Sequence, residues 1–167
     1  MKTNQDEFAD FVRATGTQLH RAALLLTGDH HLAEDLTQAT YAKVFASWRR
    51  VSAADNPLAY ARTTLLNTFL SHRRLRRNSE KPVDLTVGRE IAAPGVDHET
   101  RLDLLAALAV LSATDRAVVV LRYWEDRSTA DVAIDLGMTE TAVRTRARRA
   151  LQRLRPLLDP LSDRTRS

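Results

Sequence analysis

The chain of 167 residues contains no cysteine, only 5 glycines and 5 prolines, and 5% aromatic residues. Without cysteine it forms no disulfide, and no Cys/His zinc spacing, Gly-rich phosphate loop or Ser/His/Asp set appears. No stretch approaches the roughly 18 apolar residues of a membrane span, and the acidic start MKTNQDEFADF has no apolar signal segment. We therefore expect a soluble, cytoplasmic protein that is not an enzyme and that needs no metal or other cofactor.

The composition is that of a globular protein, with 44% hydrophobic and 28% charged residues. Apolar residues recur at helical spacing, which predicts an all-α fold. The periodicity fails between Asn78 and Glu99, where Pro82, Gly88 and Pro94 interrupt an acidic stretch. This pattern predicts two small helical domains, at 1–77 and 100–156, a flexible linker at 78–99, and a tail at 157–167 after Pro156 ends the last helix.

The second predicted helix begins after its cap, Asp29, and continues to about Trp48, with Phe45 and Trp48 on its buried side. Asp35 and Gln38 lie one turn apart on the outward side and are candidate partner contacts, although ordinary surface is the alternative. His30 and His31 each precede an acidic residue by four positions, a spacing that can hold a metal. The two pairs point in different directions without a nearby third ligand, so we predict no metal site.

The third predicted helix opens at Asn56 and Pro57, a capping residue followed by proline at the first helical position. Its polar side combines hydroxyls, an amide and an aromatic ring, and it ends in a cluster of arginines. This mixture suits unpaired bases and a phosphate backbone, while a plain polar face is an equally good interpretation. The predicted contacts to unpaired DNA are Tyr60, Asn67, Ser71, Arg73 and Arg74.

The most informative stretch, Ser128 to Leu154, reads as a short helix, a tight turn and a longer helix. Ser128 and the Asp131 that follows predict a capping box for the first helix. Gly137 lies where a left-handed residue ends that helix, and Thr139 can cap the next one. One side of the longer helix is an apolar stripe of Val143, Ala147, Ala150, Leu151 and Leu154. The stretch is predicted to be a helix-turn-helix.

The opposite side of the longer helix is cationic. Six arginines lie from Arg144 to Arg155 with no acidic residue among them, so like charges repel along the helix. A polyanion relieves that repulsion, and a guanidinium can bind guanine O6 and N7 while its neighbours hold phosphates. A solvated charged face is the alternative. The predicted DNA contacts are Thr141, Arg144, Thr145, Arg146, Arg148 and Arg149, with Arg146 on a flank as a phosphate contact.

These segments resemble a known family. LSATDRAVVVLRYWEDRSTADVAIDLGMTETAVRTRARRALQRLR resembles region 4 of the extracytoplasmic-function (ECF) sigma factors of bacterial RNA polymerase. HHLAEDLTQATYAKVFASW and NPLAYARTTLLNTFLSHRR resemble region 2 of the same family. The resemblance covers nearly all of residues 8–156, and LLLTGDHHLAEDL is most similar to the actinobacterial SigE-like group.

The resemblance implies core RNA polymerase, through its β′ clamp helices and β subunit, and promoter DNA as partners, with no membrane. Region 2 is expected to dock through Asp35 and Gln38 and to open and read the −10 element, with Asn67 at the family's DNA-contacting asparagine. Region 4 is expected to read the −35 element through Arg144, Thr145, Arg148 and Arg149. An anti-sigma factor is a further partner that the resemblance alone suggests.

The chain also departs from the family pattern. Ala39 replaces the usual acidic residue after the clamp-binding glutamine, and we expect this to weaken docking or to shift it to neighbours such as Glu34. Arg127 replaces a common apolar residue, and Thr129 and Asp131 stand for a tyrosine and a glutamate. Two other functions fit the helix-turn-helix: a stand-alone regulator whose N-terminal helices serve dimerisation or ligand sensing, and an interaction module that does not bind DNA.

Overall fold

The computed structural model describes residues 1–78 and 98–164, with side chains for residues 1–72 and 103–158. The described residues are helical with no strand, which confirms the all-α prediction. The chain divides into two compact units, residues 1–86 and 87–167. The helix bounds are α1 Asn4–Thr27, α2 His30–Ala46, α3 Trp48–Ser52, α4 Pro57–Asn78, α5 His98–Ala109, α6 Ala113–Val119, a π-helical turn Val120–Trp124, α7 Thr129–Leu136 and α8 Glu140–Arg164.

Helix ends in the first unit follow the local signals in the sequence. Gly28 ends α1 in the left-handed conformation, with φ 71°, and its N–H donates to the carbonyl of Leu24. The Asp29 carboxylate accepts from the N–H of Leu32 at 3.0 Å and so caps α2. The Asn56 side chain accepts from the N–H of Ala59 at 3.0 Å and begins α4. These three caps confirm the predicted starts of α2 and α4 and the turn after α1.

The core of the first unit lies where α1, α2, α3 and α4 meet. Its fully buried members are Leu19, Val44, Val51 and Ala61, joined by Trp48 and rimmed by Phe8, Phe11, Tyr41, Leu58 and Tyr60. Thr15 on α1 and Tyr41 on α2 bring their hydroxyls to 2.8 Å, so a hydrogen bond crosses the rim of this core. Buried apolar surface of this kind supplies most of the stability of a small helical domain.

The second predicted helix differs from the structure at its end. We expected it to continue to about Trp48 with Phe45 buried, but α2 ends at Ala46 and Phe45 is 45% exposed. Ser47 leaves helical geometry, with φ −113° and ψ 20°, and a separate short helix, α3, begins at Trp48. That break allows Trp48 to be buried, while Phe45 stays at the rim with its ring centroid 4.9 Å from that of Phe8.

The second unit contains the predicted helix-turn-helix. Ser128 accepts from the N–H of Asp131 at 3.1 Å, Gly137 has φ 63°, and Thr139 accepts from the N–H of Ala142 at 3.1 Å. The predicted apolar stripe of α8 faces the core of this unit: Val143, Ala147, Ala150 and Leu154 are buried and Leu151 is half-buried. The outward side of α8 is fixed by that burial.

The structure differs from the prediction at the end of the last helix, and it describes only the two ends of the predicted linker. The expected helix end at Pro156 is wrong, because α8 runs on to Arg164 through the region expected to be a tail at 157–167. A proline inside a helix removes one backbone hydrogen bond and crowds the carbonyl four residues earlier, so it disfavours a continuing helix without excluding it. Helix α4 ends at Asn78 and α5 begins at His98, so both helices reach into the ends of the predicted linker. Positions 79–97 lie outside the described residues.

Candidate nucleic-acid interface

The outward face of α8 carries most of the predicted duplex contacts. Arg144, Arg148 and Arg149 are exposed, and no ion pair engages them among the residues that the structure describes. Thr141 is exposed on the first turn, and Thr145 is half-buried between the arginines. The buried stripe holds this helix by its other side. The face therefore offers several free guanidiniums on a rigid support, which suits a nucleic-acid groove.

Two arginines on a flank of α8 turn towards the protein instead. Arg146 places Nη1 at 2.7 Å from Oδ1 of Asp115 on α6. Arg153 donates from Nη2 to the backbone carbonyl of Val110 at 3.0 Å. The sequence placed Arg146 on a flank and predicted a phosphate contact for it. The structure gives it an intramolecular carboxylate partner, which no short-range pattern indicates because Asp115 lies 31 residues away.

The polar side of α4 in the first unit holds the other predicted DNA contacts. Asn67 and Ser71 are exposed. Tyr60 is half-buried and its hydroxyl accepts from Nη2 of Arg50 at 3.1 Å, a hydrogen bond that lowers the pKa of this tyrosine. The side chains of Arg73 and Arg74 lie outside the described residues. The described part thus presents an amide, a hydroxyl and a tyrosine ring along one helix.

Arg50 is a residue that sequence reasoning missed. Its guanidinium lies 5.8 Å from the centroid of the Tyr60 ring as well as within hydrogen-bond distance of the hydroxyl. Arg50 belongs to the short helix α3, outside the periodic stretch that flagged α4, so no helical spacing connects it with Tyr60. It adds a cation beside the aromatic ring of the candidate −10 surface.

The outward side of α2 presents the predicted polymerase contacts. Asp35 and Gln38 are both exposed, and Ala39 beside them is half-buried. Farther along α2, Lys43 donates from Nζ to the Thr68 hydroxyl of α4 at 3.0 Å, and the buried side of α2 includes Ala33, Leu36 and Val44. The Asp35 and Gln38 side chains are therefore accessible to a partner, while the other side of α2 packs in the core of the first unit.

Within residues 1–72 and 103–158, no group of three or more His, Cys, Asp or Glu side chains is placed to hold a metal ion. None of the helices that the structure describes is long and apolar enough to cross a membrane.

Comparison with known proteins decides between the candidate functions. Residues 11–79 match Sigma-70 region 2, and residues 101–154 match Sigma-70, region 4. The RNA polymerase sigma-E factor of Streptomyces coelicolor is 34% identical over 149 residues, covering 89% of this chain and 84% of that protein. The ECF RNA polymerase sigma factor SigL of Mycobacterium tuberculosis is 34% identical over 148 residues, covering 86% of this chain and 84% of that protein. The chain belongs to the ECF sigma factors.

A solved structure agrees with this family. The sigma factor RpoE of Bartonella quintana, determined in complex with the anti-sigma factor NepR, matches with a TM-score of 0.77 at 29% identity. The match covers 92% of this sigma factor and 97% of that chain. Its relatives place the protein in the SigE-like group, and it acts in transcription initiation as a promoter-specific factor. A stand-alone regulator would not combine regions 2 and 4, so that alternative is set aside.

Proposed function

We propose that the two units divide promoter recognition between them, with region 2 engaging core polymerase and the −10 element and region 4 engaging the −35 element. The observation that supports this division is that each unit presents its own polar face on a helix held from behind by a buried core. The faces differ in chemistry. The face on α8 is dominated by arginine, whereas the described face on α4 is mostly uncharged.

The −35 element is read as duplex by α8 lying in the major groove. Arg148 and Arg149 are the proposed base readers, because an extended guanidinium can bind guanine O6 and N7 at once. Arg144 and the hydroxyls of Thr141 and Thr145 complete the contact surface and hold phosphates on either side. The exposure of this face and the absence of competing ion pairs among its described residues support the assignment.

The −10 element is captured as single strand by α4. The Asn67 amide can hydrogen-bond the edge of an unstacked base, and the Tyr60 ring beside the Arg50 guanidinium provides a surface for stacking. Ser71 follows Asn67 by one turn on the same side. Arg73 and Arg74, assigned here from sequence, would follow the phosphate backbone beyond it. The energy of these contacts offsets the cost of unpairing the bases.

Core polymerase is bound through the exposed side of α2. Asp35 provides charge for a basic partner surface and Gln38 provides a hydrogen-bonding amide, and both are assigned to the β′ clamp helices. Region 4 is assigned to the β subunit in the same complex. Because Ala39 supplies no charge, Asp35 carries the electrostatic part of this contact, together with the neighbouring exposed Glu34.

The proposed role also implies where the protein works, that it acts by binding, and how it is regulated. The protein works in the cytoplasm beside RNA polymerase, and it promotes initiation by binding energy, without catalysing a reaction or using a cofactor. An anti-sigma factor is a proposed regulator, since the related RpoE was solved with one. The proposal for this chain is that such a partner competes with polymerase or with promoter DNA.

Run-off transcription with purified core polymerase tests the proposal. Holoenzyme containing this chain should initiate at a promoter with two dissimilar elements, and Asp35→Arg should abolish transcription and co-elution with core while the helical content stays unchanged. Glu7→Arg, the same charge reversal at an exposed position of α1, is the matched control and should bind core normally. Specific duplex binding by the free chain as a dimer, with half-sites about one helical turn apart, would contradict the proposal.

A further inference from the structure

Two of the six arginines between Arg144 and Arg155 bind other parts of region 4. Arg146 pairs with Asp115 on α6 at 2.7 Å, and Arg153 donates to the carbonyl of Val110, just after α5, at 3.0 Å. They are seven residues apart, about two helical turns, and so lie on the same flank of α8. Helix α8 is therefore held to the preceding part of region 4 by these two polar contacts on one flank as well as by its buried apolar stripe.

Asp115 is a rigid anchor for the Arg146 side chain. Its N–H donates to the Ser112 hydroxyl at 3.2 Å, which places the carboxylate in the first turn of α6, where the helix dipole favours an anion. The next residue, Arg116, is buried and donates to the carbonyls of Leu108 and Leu111 at 3.0 and 3.2 Å. The start of α6 is thereby fixed to the end of α5, and the Asp115 side chain is only 20% exposed.

The Arg146–Asp115 ion pair involves a residue in the middle of the segment 141–149, which carries the proposed DNA contacts of α8. In sequence Arg146 lies two positions from both Arg144 and Arg148, although their side chains leave the helix on other sides, and its own side chain is 44% exposed. A shift in the rotation of α8 at Arg146 moves both neighbours with it, because a helix turns as one body. Because this side chain is already 44% exposed, an Arg146 guanidinium released from Asp115 is accessible to a phosphate.

We propose that Asp115 is a specificity-determining positioning residue for −35 recognition. By holding Arg146, its carboxylate adds to the apolar packing that sets the rotation of α8, and it keeps one cation from a phosphate contact that carries no sequence information. This inference rests on the proposed role of α8 in reading the −35 element. A phosphate contact strengthens binding to every sequence equally, whereas correct placement of the base-reading arginines strengthens binding to the right sequence only.

Asp115→Asn tests this assignment because it keeps the shape of the side chain and removes its charge. Asp131→Asn is the matched control: Asp131 is the third residue of α7, its N–H also donates to a capping serine at 3.1 Å, and it has no ion pair among the described residues. Holoenzymes made with each full-length variant are titrated with duplexes carrying the matched or a scrambled −35 element, over a range of KCl concentrations.

The inference predicts a paired change in Asp115→Asn holoenzyme. The slope of log K against log salt should become steeper by about 0.9, the value for one additional phosphate contact on B-DNA. The ratio of matched to scrambled affinity should fall by roughly fivefold, the equivalent of the weakest good base contact. Asp131→Asn should change neither quantity, and Asp115→Glu should restore the ratio because it restores the pair.

Two outcomes would overturn the inference. One is a salt slope and a sequence ratio for Asp115→Asn that match those of Asp131→Asn. The other is a slope that becomes shallower by about 0.9 in Arg146→Ala alone, since Arg146 would then already hold a phosphate in the parent protein. The double variant with Asp115→Asn and Arg146→Ala must lose the steeper slope. Failure of the proposed function is distinct: parent holoenzyme would then fail to distinguish the two −35 elements at all.

Discussion

The ion pair between Arg127 and Asp135 offers the sharpest test of how region 4 is stabilised. Arg127 Nη2 lies 2.7 Å from Oδ2 of Asp135, with the two side chains only 22% and 10% exposed. The backbone N–H of Arg127 donates to the carbonyl of Leu121 at 2.9 Å, and its carbonyl accepts from Arg122. The pair therefore joins the segment that follows the π-helical turn to α7.

The magnitude follows from the burial of the pair. Removing one partner of a fully buried ion pair costs about 3 to 5 kcal/mol, so for this slightly exposed pair we expect Asp135→Ala to cost about 2 to 3 kcal/mol. Replacing both partners, with Arg127→Leu and Asp135→Val together, removes two desolvated charges and should leave the unit within about 1 kcal/mol of the parent or more stable. Nε of Arg127 is buried without a hydrogen-bond partner among the described residues, which adds to the cost of keeping the charge.

The protein contains two tryptophans, Trp48 in the first unit and Trp124 in the second. In a Trp48→Phe background, tryptophan emission during urea unfolding reports the second unit alone. The control is Asp115→Asn, which breaks the more exposed pair with Arg146 in the same unit and should cost less than about 1 kcal/mol. The reasoning is refuted if Asp135→Ala costs no more than this control, or if the double apolar variant loses as much stability as the two single variants added together.

Three further predictions address the proposed surfaces and the response to acid. Arg149→Ala should lose about 1 to 3 kcal/mol of discrimination between matched and mutated −35 elements in holoenzyme titrations, whereas Arg155→Ala should leave that discrimination unchanged. Asn67→Ala should leave polymerase binding intact but slow open-complex formation, seen as weaker permanganate reactivity at −10, and a premelted promoter should rescue it. Burial, helped by the neighbouring His30, lowers the pKa of His20 below its usual 6.5, so the neutral ring is favoured in the folded state. The contribution of His20 to folding stability is complete above pH 6.5 and is lost as the pH falls towards the lower pKa of the folded state. The urea midpoint measured by circular dichroism should therefore fall in this pH range. The fall should be smaller in His20→Gln.

The features that the sequence predicted correctly are those that depend on near neighbours. The caps at Asp29, Ser128 and Thr139 each join residues three positions apart, and the left-handed glycines Gly28 and Gly137 each answer a local requirement for positive φ. The apolar stripe of α8 was also predictable, because a helix of that length has only one side that can be buried. Exposure of Asp35, Gln38 and Asn67 follows from the same geometry.

The features that could not be predicted depend on where another helix lies. Helix α2 ends at Ala46, two residues before the predicted end; Phe45 is exposed and Trp48 is buried, and no strong breaker residue marks Ser47. Arg127 replaces a residue that the family resemblance led us to expect as apolar, and Asp135, eight residues later near the end of α7, supplies its partner. Pro156 signalled a helix end and the helix continues through it. At Ser47 and Arg127 the outcome depends on contacts with other parts of the fold, which override the local preference.

The flank of a helix is where sequence reasoning is least able to assign a function. A helical wheel distinguishes the buried stripe from the outward face, but a flanking side chain can reach either a neighbouring helix or a ligand. Arg146 and Arg153 reach neighbours here, which leaves the exposed Arg144, Arg148, Arg149 and Arg155 as the arginines available to DNA between positions 144 and 155. At about 0.9 per phosphate contact, α8 can then contribute at most about 3.6 to the salt slope through these side chains, where six free arginines would give about 5.4. Every one of the four that reads a base lowers the slope further, so a shallow salt dependence combined with strong sequence preference is what this arrangement of arginines requires.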